Sequence, residues 1–367
     1  MINIGTKSEI PIFWLLDKNL DVVDTIIQGQ EGYSVSAGLW TSNFETSDQF
    51  SIQIAVDTTN SLKILNSVLS DTTLFIVRGD TKQVCWINKK EFDGQYISID
   101  GVGILELLKK RFTTTADYVP VGEFINNNQV GQVMCDIINA NDCYTWLSAV
   151  RDDNKNGVDI ATYTEQTGNV AKYLSSLSKT YSVAMAFLYD EVNKKIVFNT
   201  YEIVSRATVV AGRVYVIAKE FDNANKLSYI KDMTQYYNYC KVIGDTATVF
   251  VNNILTGEDK YSLAIKANKA QGDLSEANYE AVLENLGEIE LSKRQIEESF
   301  EIEIKPDQLL SLGWEVLATN RDINVSKVLF CTSVKESWDV VYKKSYVLGF
   351  RPTSKEILTN SLQGELQ

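Results

Sequence analysis

Short apolar or alternating runs, separated by turn-forming residues, dominate the first third of this chain. Ile12 to Leu16, Val22 to Ile27, Phe50 to Val56, Leu74 to Val77, Val84 to Ile87 and Tyr96 to Ile99 read as strands. Asp17, Asn19, Gly29, Gly32, Asp80, Asp93 and Gly94 supply the turn chemistry between them. Leu62, Leu65, Val68 and Leu69 carry a short helical spacing. This cadence is that of a β-barrel or sandwich. Gly101 and Gly103 are expected to break the sheet, and Ile104, Leu105, Leu107, Leu108 and Phe112 to form a closing helix face.

The period then changes. Thr113 to Thr115 and the stretch from Pro120 mark a boundary. Beyond it, Val130, Val133, Met134, Ile137 and Ile138 fall on one face of an amphipathic helix. A second helix is expected from Val170 to Lys179, with Val170, Leu174 and Leu177 inward, followed by a hairpin of Val183 to Tyr189 and Lys195 to Tyr201. β character returns at Val214 to Ile217, Leu227 to Ile230, Tyr239 to Ile243 and Thr248 to Val251. After an acidic helical segment that Gly287 should divide in two, it resumes at Phe300 to Ile304 and Trp314 to Leu317. A last hairpin, Val325 to Val334 and Val340 to Leu348, turns at Glu336 to Asp339. The fold class is therefore α+β and mainly β. Residues 1–112 form a first β domain and 113–212 an α/β insertion. Residues 213–256 and 299–350 form a discontinuous second β domain, 257–298 an acidic helical insertion, and 351–367 a polar tail.

A chain of 367 residues with 44% hydrophobic content suits two or three globular domains. The formal charge of −13 argues against a surface that tracks phosphates, although an acidic wall would let DNA slide past without sticking. Cys85, Cys135, Cys143, Cys240 and Cys331 are scattered, without C-x-x-C spacing, and read as free, mostly buried thiols. The N-terminus lacks the pattern of a secretory leader, and no apolar run approaches the roughly 20 residues of a bilayer span. The reading is an unexported chain without a membrane anchor.

The chain contains no histidine, which removes Ser-His-Asp and Cys-His hydrolases and most catalytic zinc sites. Three other constellations remain. Ser176 and Lys179 have S-x-x-K spacing without its companion motifs, and read as a solvated helix face. Asp152, Asn154 and Asn156, with Gly157, match the front of a calcium loop, but Tyr163 stands where the bidentate glutamate belongs and Glu165 falls two residues late. A polar turn is the plainer reading of that loop. Glu276, Glu280, Glu284 and Glu288 stack every four residues on one helix face, either as a solvated surface or as an acidic face toward a channel or a basic partner. No catalytic or cofactor-binding residue and no firm metal site is expected.

Four regions carry a family resemblance. One is the block from Trp40 through Phe44, Asp48 and Phe50 to Asp100, Gly101 and Phe112. Another is Asn169 to Leu174 with the Phe187 to Phe198 hairpin. The others are Tyr237 to Gly244, and Leu312 to Val316 with Val334 to Trp338. Together they resemble the siphovirus tail-hub family over roughly residues 15 to 350. Trp314 stands where the family often has an acidic residue after Gly313. The resemblance implies two tube-like β-barrels per chain and a homotrimer forming a pseudo-sixfold ring that joins the tail tube to the tip. It implies a virion-tail location after assembly in the host cytoplasm. The implied partners are further copies of the chain, a tail-tube or distal tail protein, a tape-measure protein and a tip or spike protein, with DNA passing through unbound. It transfers no catalytic residues. The competing expectations are a tail-associated peptidase or cell-wall hydrolase, for which the chain ending at Gln367 leaves little room, and a receptor- or sugar-binding module. The second would want exposed loop aromatics, and Trp338 in the last turn is the one tryptophan so placed.

Overall fold

In the first β region the apolar runs do become strands, because alternate side chains of an extended chain point to one face. In chain order they are β1 (Phe13–Asp17), β2 (Val22–Ile26), β3 (Ser34–Asn43), β4 (Gln49–Ala55), β5 (Thr73–Arg78), β6 (Val84–Phe92) and β7 (Tyr96–Gly103). The short helix α1 (Ile104–Leu108) follows directly. The computed structural model describes residues 11–27, 34–44, 46–56, 66–111, 129–141, 143–157, 169–202, 204–205, 216–252, 260–267, 271–272, 275–292, 294–304, 310–338 and 342–349. The expected boundary from 113 to 120, Tyr163 and Glu165 of the calcium-loop pattern, and the polar tail 351–367 lie outside these residues. Gly101 and Gly103 do not break the sheet. They sit inside β7, and a Cβ at Gly101 would overlap the Phe50 ring and the Trp86 carbonyl. The glycine lets neighbouring strands pass a large aromatic.

The α/β part comprises α2 (Val130–Ala140), β8 (Leu147–Ala149), α3 (Val170–Tyr181), β9 (Val183–Asp190) and β10 (Lys195–Glu202). Asn169 caps α3, its side chain accepting from the Lys172 N–H at 2.7 Å. The strands form a three-stranded sheet in the order β8-β10-β9, with β9 and β10 the expected antiparallel hairpin. The remaining strands are β11 (Val204–Ser205), β12 (Val216–Ala218), β13 (Ala224–Asp232), β14 (Tyr239–Ile243), β15 (Thr248–Val251) and β16 (Ser262–Lys266). Helix α4 (Glu276–Ser292) then precedes β17 (Glu297–Ile304), β18 (Trp314–Asn320), β19 (Val325–Trp338) and β20 (Lys343–Gly349).

Among the described residues, the first and last β regions share one sheet in the order β2-β1-β5-β6-β7-β4-β3-β19-β20-β17-β13, with β18 on β19 and β11 and β12 on β18. β19 is the joint. Val325 to Phe330 pair with β18, and Ser333 to Trp338 pair with β3, while β20 runs along the other side. The handover falls at a register shift between Cys331 and Ser333. There the Gly313 N–H donates to the Cys331 carbonyl at 2.8 Å, and the Phe44 N–H to the Thr332 carbonyl at 2.9 Å. Trp338 is therefore not an exposed turn aromatic. It ends β19 in the core with Trp40, Phe50 and Ile52, edge-on to Phe13 at 6.0 Å. The structure is mainly β with helices, as expected.

A second compact unit spans Tyr229–Ser299. Its sheet has the order β15-β14-β16, with β14 antiparallel to β15 and parallel to β16. β14 and β15, expected in the second β domain, thus pair with β16 from the expected helical insertion. α4 packs on one face, where Tyr279, Leu283 and Leu291 meet Cys240, Val242 and Val251. Gly287 does not divide α4, which runs unbroken. A Cβ there would lie 2.5 Å from a Val251 methyl and 2.8 Å from a Val242 methyl, so the residue serves close approach of helix to sheet. All five cysteines are buried and free.

Candidate functional site

The calcium-loop residues are not gathered around a common point. Asn154 is fully buried, and its carboxamide is spent on β10 and the preceding turn: Oδ1 accepts from the Thr200 N–H at 2.7 Å and the Thr200 hydroxyl at 3.0 Å, and Nδ2 donates to the Val150 carbonyl at 2.8 Å. Asn156 donates to the Thr200 carbonyl at 2.9 Å. Asp152 instead points to solvent beside Lys155 at 3.7 Å. Two asparagines thus fasten the loop to β10. Ser176 and Lys179 are both exposed on α3.

Glu276, Glu280, Glu284 and Glu288 are all exposed on α4, next to the buried row Tyr279, Leu283, Gly287 and Leu291. One step along a helix is about 100° of rotation, so the stripe flanks the packed face and projects from the unit. The far face of the β15-β14-β16 sheet has opposite character. Lys241 stands over Phe250 at 5.8 Å, Lys260 over Tyr239 at 3.4 Å, and Tyr239 stacks on Phe250 at 6.1 Å.

A buried charge cluster ties the two β regions together, and nothing in the sequence signals it. Arg78 on β5 grips Asp80 with two hydrogen bonds, at 2.7 and 2.9 Å, and its Nη1 donates to Glu336 on β19. Glu336 also accepts from the Tyr342 hydroxyl at 2.6 Å and lies 3.7 Å from Lys344. Burial alone would raise the Glu336 carboxyl, but Arg78, Lys344 and Tyr342 together hold it below the usual carboxylate range. Burial lowers Lys344, with Glu336 opposing, and burial plus the Glu336 charge raises Tyr342. Such a satisfied cluster positions strands and offers no open valence for chemistry.

Asp48 forms a second polar knot beside the joint. Its Oδ1 accepts from the Asn43 N–H at 2.9 Å, and its Oδ2 from the Gln83 amide at 3.3 Å. Part of the residue reaches the surface, but the carboxyl is enclosed, and burial pushes it up to about 7 against the pull of the Asn43 N–H and Arg78. The neighbouring Cys85 thiol is pushed up by burial and by Asp48, which makes it a poor nucleophile. Among the described residues no helix is long and apolar enough to cross a membrane.

No protein-family model matches the chain, and no curated protein matches its sequence. Solved structures do match its fold. The 43 kDa tail protein of prophage MuSo2 from Shewanella oneidensis aligns with a TM-score of 0.54 at 12% identity, over 93% of this chain and 97% of that one. The tail protein from Neisseria meningitidis MC58 gives 0.52 at 10% identity, over 96% and 99%. A chain of the half-lidded Francisella PdpA–VgrG complex gives 0.52 at 11% identity, over 96% of this chain and 59% of that one. At such identities the likeness is one of fold.

Proposed function

We propose that this chain is a structural subunit of the tail tip or baseplate hub of a phage or phage-like particle. The observation that carries the reading is the fold match to tail proteins, which covers 93% of this chain and 97% of one of them, and 96% and 99% for another. The siphovirus-type hub is the specific form we favour. In it three copies, each with two tube-like β modules, make a pseudo-sixfold ring that continues the tail channel. β19 supports this reading, because it pairs with strands of both the first and the last β regions and joins them in one sheet. So does β2, last in the strand order among the described residues, whose Val22 and Val23 are exposed apolar side chains. The ring would contact a tail-tube or distal tail protein above and a tip or spike protein below, with the tape-measure protein and then DNA inside. Carboxylates along the passage would repel phosphate and leave DNA free to move. The chemistry is mechanical: the absence of histidine and the closed Arg78–Glu336 cluster fit a part that holds position and performs no turnover.

The test is the protein content of tails purified from the producing cells. Mass spectrometry should find the chain in stoichiometric amounts, and antibody against it should label one end of each tail. Purified tails lacking the chain would overturn the reading.

A further inference from the structure

We propose that the exposed face of the β15-β14-β16 sheet docks the acidic flank of α4 on a second copy of this chain. The inward face of that sheet is committed: Cys240, Val242, Val249, Val251, Leu263 and Ile265 pack under α4. Strand alternation then assigns Lys241, Ile243, Thr248, Phe250, Ala264 and Lys266 to the opposite face. The register sets Lys241 between Phe250 and Ala264, and Ile243 between Thr248 and Lys266. Ile243 is 38% exposed and Phe250 43%, so the middle of the face is apolar and wet.

Its charge is one-sided. Lys241 and Lys266 are the sole charged residues in the three strands, and Lys260, just ahead of β16, lies over Tyr239 on the same face. The protein as a whole carries −13, so this cationic, aromatic patch runs against the average surface. The same unit displays the complement. α4 carries Glu276, Glu280, Glu284 and Glu288 exposed, and no Lys or Arg anywhere between Glu276 and Ser292. Four turn-spaced carboxylates extend about 18 Å along a helix. Lys260 to Lys266 extends roughly 20 Å along a strand. Lengths and signs therefore match, and the lysines would relieve the like-charge repulsion along the stripe.

The two surfaces face different ways on one unit, so no copy satisfies itself, and each can give and receive at once. Contacts of that head-to-tail kind close into a ring when the rotation permits. A lysine-topped aromatic face also suits single-stranded nucleic acid. Three lysines on a strongly acidic chain favour the acidic helix, which is present at equal concentration in every copy. A tail subunit whose copies meet elsewhere would leave the tail reading standing, so the two can fail separately.

Sedimentation velocity of the full chain across concentration and salt tests the contact. Two doubly substituted proteins are needed, Lys241→Glu with Lys266→Glu and Glu280→Lys with Glu284→Lys, all at solvent-accessible positions. The native chain should associate, less so at high salt, and each variant should associate about tenfold or more weakly. An equimolar mixture should recover association, because the reversed surfaces complement one another. A native chain that stays monomeric, variants that associate like it, or a mixture that recovers nothing would overturn the proposal. Binding of a labelled oligonucleotide that is lost with the lysines, while self-association is unchanged, would also overturn it and reassign the face to nucleic acid.

Discussion

Arg78 and Glu336 lie 258 residues apart in the chain and meet in a water-excluded seam. Removing Glu336 leaves Arg78 with Asp80 alone and takes the carboxylate from Lys344 and the Tyr342 hydroxyl, so Glu336→Leu should lower unfolding free energy by about 3–5 kcal/mol. Replacing both, with Arg78→Met and Glu336→Leu, should cost less than the single change, which a double-mutant cycle by urea unfolding would register. Asp48 makes the opposite demand on pH. Its folded-state pKa is raised from 3.8 to about 7, so its contribution is full below the unfolded value and is lost as pH rises through about 7. Asp48→Asn should flatten the fall in thermal midpoint between pH 5 and 8 relative to the native chain. Glu336, held low, acts the other way: its contribution is present above its unfolded value and is lost in acid as pH falls through the folded one. Neither knot was legible in the sequence, because isolated polar residues on strands look the same whether solvated or sealed. Trp338 misled for a related reason. The polar Glu336 and Ser337 before it read as a turn, whereas they continue β19 with Glu336 paired inside.

Elements were legible where their period was undisturbed. α2, α3 and the β9–β10 hairpin appear where the spacing of Val130 to Ile138, Val170 to Leu177 and Val183 to Tyr201 puts them. β3 was invisible as a strand. Its buried positions are Val35, Gly38, Trp40 and Ser42, and a bulge between Val35 and Ala37 shifts the phase. A glycine and a serine on the inward face, plus one extra residue, erase the alternation. Gly101 and Gly287 were read as breakers because glycine usually is one, yet both permit close packing inside an unbroken element. Gly287→Val should wedge α4 off its sheet. The expected loss is about 1–3 kcal/mol, seen as early amide exchange confined to residues 239–292. Asn154→Ala should cost about 1–3 kcal/mol by removing the acceptor of the buried Thr200 N–H. Calcium should leave the thermal midpoint of the native chain unchanged if that loop's role is to fasten β10.

At the scale of the molecule, composition and cadence were enough for a mainly β chain with helices, and the four resembling regions agree with the tail-protein folds that the chain matches. What they could not supply was non-local pairing. β19 joins strands from opposite ends of the chain, and β16 draws β14 and β15 into a unit with α4, since hydrogen bonding across a sheet leaves no mark on the spacing of either strand. Assembly is the common thread: a joined sheet built from both ends of the chain, and a smaller unit with a cationic face and an acidic flank, on a chain folded like tail proteins. Native mass spectrometry of the purified full chain, with negative-stain imaging of the same sample, tests this most directly. The expected result is a species of three 41.3 kDa chains that appears as a ring with an open centre. A strict monomer that forms no ring at any concentration, even with a tail-tube protein added, would contradict the account.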